Sequence, residues 1–250
     1  MAFASCDKCD DKYVVLASEA VEQDAQWLEV AQALVQKHDA EFYFYTDAPR
    51  ECLEQLKVAN PRYVAIVEKP ENLNRDYVID MHHVSREVDD DIFADFMWGM
   101  ITGYDAAAAM KMLDNSTEPL LIKDAVATIT ELKSAKWFDR YAWVDDHTKG
   151  LWGEKRGRHA EIKTDTIAPE QVLRKFTELY AAYAQDLIVT AAHATQKNLE
   201  MPYSLGNLKP RNGKLYAEDR FTGEKWDLKE SGKRRVYTAV GNCLIGDMNN

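Results

Sequence analysis

The segment KYVVLAS (Lys12–Ser18) is a short apolar run with β-branched residues, which predicts a buried strand. After it, apolar side chains recur at helical spacing as far as Val35. Two more strand-like runs follow, EFYFYT (Glu41–Thr46) and RYVAIVE (Arg62–Glu68), with a short helical segment between them. Strands that alternate with helices form largely parallel sheets with right-handed crossovers. The beginning of the chain is therefore predicted to be an α/β unit.

The pattern changes after Pro70. An acidic run, EVDDDIFADF (Glu87–Phe96), leads into MWGMITG, and a helix is predicted from the N-cap Asp105 to Leu113. Pro119 prevents continuation of that helix. We therefore predict a boundary here, with an N-terminal α/β subdomain over residues 1–116 and a second, catalytic subdomain over residues 117–250.

The second subdomain begins another α/β pattern. RYAWVDD (Arg140–Asp146) predicts a strand, and a charged, Gly-rich excursion follows it. Pro169 opens a helix with Val172, Phe176, Leu179 and Tyr183 on one face. The overall prediction is an α/β fold in which a mostly parallel sheet is flanked by helices on both faces.

The last two predicted strands each end in a reactive side chain. DLIVTAAH (Asp186–His193) ends at a histidine, and RVYTAVGNC (Arg235–Cys243) reaches a cysteine after a Gly-Asn turn. Ligands of open parallel sheets gather outside the carboxyl ends of the strands. If the two strands are neighbours, their ends lie about 5 to 10 Å apart, within reach of one substrate. This geometry suits a cysteine nucleophile and a histidine acid/base.

The pairing of TAAHA (Thr190–Ala194) with GNCLIGD (Gly241–Asp247) resembles the caspase-like cysteine peptidases, and more closely their gingipain-type branch. DDDIFADFMWGMITGYDAAAAMKML (Asp89–Leu113) is similar to that branch's segment in which an acidic, aromatic stretch leads to a strand, a Gly and a helix. The resemblance covers roughly the last two thirds of the chain. It implies a caspase-like, gingipain-like fold.

The resemblance also implies site residues. Cys243 would be the nucleophile and His193 the acid/base, with the oxyanion held by the backbone N–H groups of Cys243 and Ala194 and with Gly241 and Asn242 forming the adjacent turn. Gingipain-type enzymes cleave after Arg or Lys, which requires an acidic pocket. The candidate pocket residues are Asp89, Asp90, Asp91, Asp145 and Asp146.

The chain departs from the family pattern in three places. Ala194 follows the histidine where the family often has Gly, and its N–H can still serve an oxyanion. Gly241 and Asn242 precede Cys243 where caspases proper have Gln-Ala, which favours the gingipain side. Only LIGDMNN follows the cysteine, so we expect a chain that is truncated soon after its nucleophile.

Composition limits the function classes. The chain is 46% hydrophobic and 29% charged, as in ordinary globular proteins, and no apolar run is long enough to cross a membrane. A net charge of -11 argues against nucleic acid as a partner. The expected partner is a peptide or protein substrate, without a cofactor. No secretion signal is recognisable, so the expected location is cytoplasmic by default and exported if the chain is a fragment.

The cysteines do not predict a metal site. Cys6 and Cys9 form a C-x-x-C without a second pair at zinc spacing, and four scattered cysteines are expected to be reduced thiols. His82 and His83 are predicted to lie in a surface loop rather than to bind metal.

Two alternatives to a peptidase are considered. The first is a non-catalytic caspase-like or flavodoxin-like α/β module that binds a ligand or partner at the same edge of the sheet. The second is a nucleotide-binding domain, which is disfavoured because VVLASEAVEQDA (Val14–Ala25) lacks the G-x-G-x-x-G turn.

Overall fold

The computed structural model of this chain describes residues 12–113, 120–129, 134–184, 186–195, 197–229 and 235–239. The chain divides into two compact units, Met1–Asn115 and Ser116–Met248, here called unit 1 and unit 2. Each unit contains its own sheet and its own hydrophobic core.

Unit 1 contains one parallel sheet of four strands. Its strands are β1 (Tyr13–Ser18), β2 (Glu41–Tyr45), β3 (Tyr63–Val67) and β4 (Met97–Ile101). Its α-helices are α1 (Glu19–Glu22), α2 (Ala25–His38), α3 (Leu53–Ala59), α4 (Arg75–Val84) and α5 (Ala106–Met112), with 3₁₀ helices at Pro49–Cys52 and Pro70–Asn72. The strand order is β2-β1-β3-β4 and every pair is parallel, which confirms the predicted α/β character of this part of the chain.

Polar residues set the ends of the helices in unit 1. Asp24 caps α2 by accepting the backbone N–H groups of Gln26 and Trp27. Asp105 caps α5 in the same way, as predicted from the sequence. Asp39 ends α2 in the left-handed region, with a φ of 49°. Helices α2 and α5 therefore begin where an aspartate side chain satisfies the free backbone N–H groups, and α2 ends where the backbone N–H of Asp39 bonds to the Val35 carbonyl.

Both faces of this sheet are buried at its central strands, β1 and β3. Val15 and Ala17 of β1 pack in one cluster with residues of α2 and α5. Val14 and Leu16 alternate with them, point to the opposite face and are fully buried. Leu56 of α3 and Met81 of α4 are also fully buried. This pattern is typical of a parallel sheet covered by helices on both faces.

The described residues of unit 2 form two sheets. Its strands are β5 (Asp124–Ala127), β6 (Arg140–Val144), β7 (Leu151–Arg156), β8 (Lys163–Thr166), β9 (Leu187–Thr190), β10 (Ala194–Thr195), β11 (Asn198–Glu200), β12 (Gly206–Arg211), β13 (Lys214–Asp219), β14 (Lys225–Asp227) and β15 (Val236–Ala239). The α-helix of its described part is α6 (Val172–Tyr183), and 3₁₀ helices lie at Ser134–Trp137, Pro169–Gln171 and Pro202–Ser204. A six-stranded sheet has the order β15-β9-β5-β6-β7-β8, and a five-stranded sheet has the order β10-β11-β12-β13-β14.

The prediction of one mostly parallel sheet is too simple for unit 2. In the six-stranded sheet, β15, β9, β5 and β6 are parallel, whereas β7 and β8 are added in antiparallel fashion. The five-stranded sheet is wholly antiparallel and lies in the sequence between β9 and β15. Its short strands carry many polar and charged residues, so they lack the apolar runs that predict buried strands.

The predicted charged excursion is also wrong in part, since it contains the regular strand β7. Gly153 of β7 lies directly opposite Trp143 of β6. A Cβ atom at Gly153 would come within 2.3 Å of the Trp143 ring. The glycine is therefore required by the packing of the indole across the strand pair.

Helix α6 forms the core of unit 2, as its predicted apolar face indicated. Phe176 and Leu179 pack with Val126 and Ile188 of the six-stranded sheet and with Leu208 of the five-stranded sheet. On the opposite face of the six-stranded sheet, a second cluster joins strand residues to Ala135 of the 3₁₀ helix Ser134–Trp137. Lys155 Nζ donates to the carbonyls of Ala135 and Phe138 there. Within the described ranges of unit 2, one face of this sheet is covered by an α-helix, whereas the sheet of unit 1 has helices on both faces as predicted.

None of the described helices combines the length and the apolarity that a bilayer crossing requires.

Candidate active site

The strands that lead to His193 and Cys243 are neighbours. β9 and β15 pair in parallel, with Leu187 opposite Val236 and Thr190 opposite Ala239. Their carboxyl ends therefore lie at the same edge of the six-stranded sheet, here called the carboxyl edge of unit 2. The sequence-based site requires these two strands to be neighbours, and they are. Adjacent strands are about 5 Å apart.

His193 lies just beyond β9 and its side chain is exposed. Its backbone carbonyl accepts a hydrogen bond from the N–H of Glu200 at 2.8 Å. The next residue, Ala194, begins β10. The backbone of His193 is thus held by the β10–β11 hairpin, while its imidazole faces solvent.

Cys243 lies outside the described residues, as do Gly241 and Asn242. The structure describes the strand that precedes them as far as Ala239. Cys6 and Cys9 also lie outside the described residues.

The Ala194 N–H has an orientation compatible with the predicted oxyanion role. In an antiparallel pair, hydrogen-bonded and non-hydrogen-bonded residue pairs alternate. Glu200 donates to His193, so the next pair, Ala194 with Leu199, is a non-hydrogen-bonded one. The N–H of Ala194 therefore points away from β11.

Asp145 and Asp146 directly follow β6 and so lie at the carboxyl edge of unit 2. Asp145 is buried, and its Oδ1 accepts the backbone N–H of His147 at 2.6 Å. Asp146 is partly exposed, with Oδ1 3.7 Å from His147 Nε2. β6 is two strand positions from β9, which corresponds to about 10 Å.

Asp89, Asp90 and Asp91 belong to unit 1 and are exposed. Asp89 Oδ1 accepts the N–H of Asp91, and Asp91 Oδ1 accepts the N–H of Phe93. Carboxylate oxygens of Asp89, Asp91 and Asp95 lie within 4.8 Å of one another. Asp89 and Asp91 thus form local turns, and sequence reasoning did not single out Asp95.

Sequence reasoning also missed three hydroxyl groups around β9. Thr128, which follows β5, bonds to both backbone groups of Ala191. Thr190 at the end of β9 lies 3.1 Å from the hydroxyl of Tyr237 on β15. The available signal was the position of each threonine at the end of an apolar strand, but only the pairing of the strands brings these groups together.

The described cysteine, Cys52, is a free and fully buried thiol in unit 1. Burial, and secondarily the charge of Glu51, raises its pKa to about 11. A buried thiol with a raised pKa is a poor nucleophile. Cys52 therefore has a structural role.

His82 and His83 lie on helix α4, which corrects the prediction of a surface loop. Both are exposed, and the ring of His82 contacts Trp98 edge-on at a centroid distance of 5.1 Å. The segment forms a helix because its apolar residues, Tyr77, Met81 and Val84, recur at helical spacing.

Comparison with known proteins found no relative of this chain: no family model, no curated protein and no solved structure matches it.

Proposed function

We propose that this chain is a cysteine endopeptidase of the caspase-like, gingipain-type class, with Cys243 and His193 as its catalytic dyad. The observation that carries the proposal is the parallel, in-register pairing of β9 with β15. Each strand is followed within a few residues by one of the two reactive side chains. The pairing of these two strands supports a dyad at this edge of the sheet, because Cys243 follows β15 by four residues in the sequence.

The chemistry follows from these two groups. The Cys243 thiolate attacks the carbonyl carbon of the scissile peptide bond and forms a tetrahedral intermediate. As the C–N bond breaks, His193 donates a proton to the leaving amine, and a thioester remains. His193 then accepts a proton from water as the hydroxide attacks the thioester carbonyl carbon; the C–S bond breaks, the carboxylic acid leaves, and the Cys243 thiolate is restored beside protonated His193. An exposed imidazole at the edge can exchange protons with solvent between these steps.

The oxyanion of the tetrahedral intermediate would be stabilised by the backbone N–H groups of Ala194 and Cys243. The backbone N–H of Ala194 points away from β11, which supports this role for Ala194. A preorganised donor of this kind contributes about 3 kcal/mol to transition-state stabilisation.

Asp145 and Asp146 are the favoured residues for a pocket that accepts a basic side chain. Both lie at the same carboxyl edge as His193, at the end of β6. Their carboxylates would pair with the ammonium of Lys or the guanidinium of Arg next to the scissile bond. Asp89, Asp90 and Asp91 lie in unit 1 and serve as the comparison set in the test.

The dyad is tested with peptidyl electrophiles that carry Arg, Lys, Asp or Leu beside the warhead, with adducts mapped by mass spectrometry. We expect rapid modification of Cys243 in the wild type and slowing by about two orders of magnitude or more in His193→Ala. His83→Ala is the matched control, because His83 is also an exposed histidine but lies on α4 of unit 1.

Slow modification spread over Cys6, Cys9 and Cys243, and unchanged by His193→Ala, would exclude the peptidase. The chain would then be a non-catalytic α/β module that binds a ligand or partner at this edge. The preference among the four electrophiles tests the pocket separately. Asp145→Asn and Asp146→Asn should each reduce the preference for Arg or Lys about tenfold, whereas Asn at Asp89, Asp90 and Asp91 together should leave it unchanged.

A further inference from the structure

We infer that Thr128 is a positioning residue for His193, which it holds at the carboxyl edge of unit 2 by clamping the backbone of Ala191. The inference rests on the proposed function, because it assigns Thr128 a role in the activity of the His193–Cys243 dyad. Thr128 touches neither the substrate nor the reacting atoms.

The clamp uses both hydrogen-bonding capacities of one hydroxyl. Thr128 Oγ1 donates to the carbonyl oxygen of Ala191 at 3.1 Å and accepts the N–H of the same residue at 2.9 Å. The backbone N–H of Thr128 donates to the Val189 carbonyl at 2.9 Å. Thr128 is only 1% exposed, so water does not readily replace these bonds.

The position of the clamp matters because the regular backbone pairing of β5 with β9 ends at Ala127 and Val189. Beyond that point, the Thr128 hydroxyl takes the place of the missing backbone partner and continues the attachment as far as Ala191. Only Ala192 separates the clamped residue from His193. On the other side, the Glu200 N–H holds the His193 carbonyl. His193 is therefore fixed from both directions along the chain.

The amino edge of the same strands provides a structural counterpart. Asp186, just before β9, accepts the N–H groups of Lys123 and Asp124 at 2.9 Å each. This carboxylate also ties β9 to β5, but at the end of the strands opposite to His193. Asp186→Asn is therefore a control that weakens the same strand pair without loosening the histidine segment.

The test compares Thr128→Val, which removes the hydroxyl at nearly constant volume, with Thr128→Ser, which retains it. The first readout is the rate of Cys243 modification by the fastest electrophile of the panel. We expect Thr128→Val to reduce this rate by about tenfold to a hundredfold, because misplacement of a catalytic group by about 1 Å has effects of that order. Thr128→Ser retains the hydroxyl and should keep the rate within about threefold of wild type. Asp186→Asn should keep it within about twofold of wild type.

The second readout is the NMR signal of the His193 imidazole nitrogens, which reports its surroundings independently of catalysis. It should change in Thr128→Val and not in Asp186→Asn. If valine prevents folding, Thr128→Ala removes the same hydroxyl without adding a methyl group beside Ala191.

The outcomes separate this inference from the proposed function. If His193→Ala abolishes rapid modification but Thr128→Val does not slow it, the dyad stands and the positioning role of Thr128 is wrong. If His193→Ala has no effect, the peptidase is wrong, and unchanged imidazole signals in Thr128→Val would overturn the clamp as well. A loss shared by Asp186→Asn, or not rescued by Thr128→Ser, would indicate general destabilisation and would also overturn the inference.

Discussion

Units 1 and 2 arrange their parallel strands in the same order but treat the carboxyl edge differently. In unit 1 the order is β2-β1-β3-β4, and in unit 2 the parallel strands follow the order β6-β5-β9-β15. In each case the first strand lies between the second and the third, and the fourth is outermost. Shared strand order therefore does not explain why an exposed histidine, His193, follows a strand at the carboxyl edge of unit 2.

At the carboxyl edge of the unit 1 sheet, polar side chains are buried and hydrogen-bonded to one another. Glu68, which follows β3 and is 1% exposed, accepts hydrogen bonds from the Ser18 hydroxyl at 3.0 Å and the Tyr45 hydroxyl at 2.6 Å. The backbone N–H of Lys69 and the side-chain amide of Asn72 also donate to it. Burial, the neighbouring Tyr77 and this carboxylate raise the pKa of Tyr45 well above its usual range. These buried groups satisfy one another's hydrogen-bonding capacity, which stabilises the fold of unit 1.

The carboxyl edge of unit 2 has both a buried, hydrogen-bonded side chain and an exposed one. Thr128 is buried and bonded, as Glu68 is, but His193 follows the strand as an exposed side chain. With the same strand order, the two edges differ in the side chains at the strand ends, which are buried at Glu68 in unit 1 and include the exposed His193 in unit 2.

The largest contrast is expected in peptide hydrolysis. Cys243→Ala removes the proposed nucleophile of unit 2 and should abolish cleavage, a loss of at least about three orders of magnitude. Ser18→Ala removes a hydroxyl at the sealed edge of unit 1 and should leave the rate per folded molecule unchanged. Steady-state hydrolysis of a fluorogenic peptide bearing the preferred side chain measures both, and equal rates for the two variants would contradict the contrast.

The free energy of unfolding should depend more on the carboxyl edge of unit 1 than on that of unit 2. Glu68→Ala leaves buried hydroxyl and amide donors without their acceptor and should lower the free energy of unfolding by about 3 kcal/mol. His193→Ala changes an exposed side chain and should alter it by no more than about 0.5 kcal/mol. Urea unfolding of both variants, followed by circular dichroism, makes the comparison, and similar midpoints would show that the unit 1 edge is not a stabilising network.

A smaller effect is expected at the tie between β9 and β15. Tyr237→Phe removes the hydroxyl that lies 3.1 Å from Thr190 Oγ1 and should reduce stability by about 1 kcal/mol. The control is Tyr104→Phe in unit 1, where the ring is exposed and no loss is expected. Matching denaturation midpoints for the two variants would mean that the hydrogen bond between Thr190 and Tyr237 contributes nothing measurable to stability.

The smallest expected effect is the reactivity of the unit 1 thiol. Burial raises the pKa of Cys52 to about 11, so the fraction of thiolate is very small at pH 8 and rises only as the pH approaches that value. Iodoacetamide should therefore leave Cys52 unmodified at pH 8 under native conditions and modify it after unfolding. Rapid native modification at pH 8, mapped by mass spectrometry, would show an accessible thiol and would remove this difference between the units.

Much of the local structure could be predicted from the sequence because it depends on neighbouring residues. Buried strands β1 and β3 appear as short apolar runs, and the Asp105 cap and the apolar face of α6 follow from spacing over a few residues. The five-stranded sheet of unit 2 could not be predicted in this way. Its polar, short strands depend on pairing with one another and on a core shared with α6.

The α/β character of the chain could be predicted from the sequence, and so could the positions of His193 and Cys243 after two apolar, strand-like runs. The parallel pairing of β9 with β15, the bonds between Thr128 and Ala191, and the burial of Glu68 at the carboxyl edge of unit 1 could not, because they depend on how the segments pack together. The physical reason is the range of the interactions. Hydrophobic periodicity and helix capping operate within one segment, whereas strand pairing and the satisfaction of buried polar groups join residues that are far apart in the sequence.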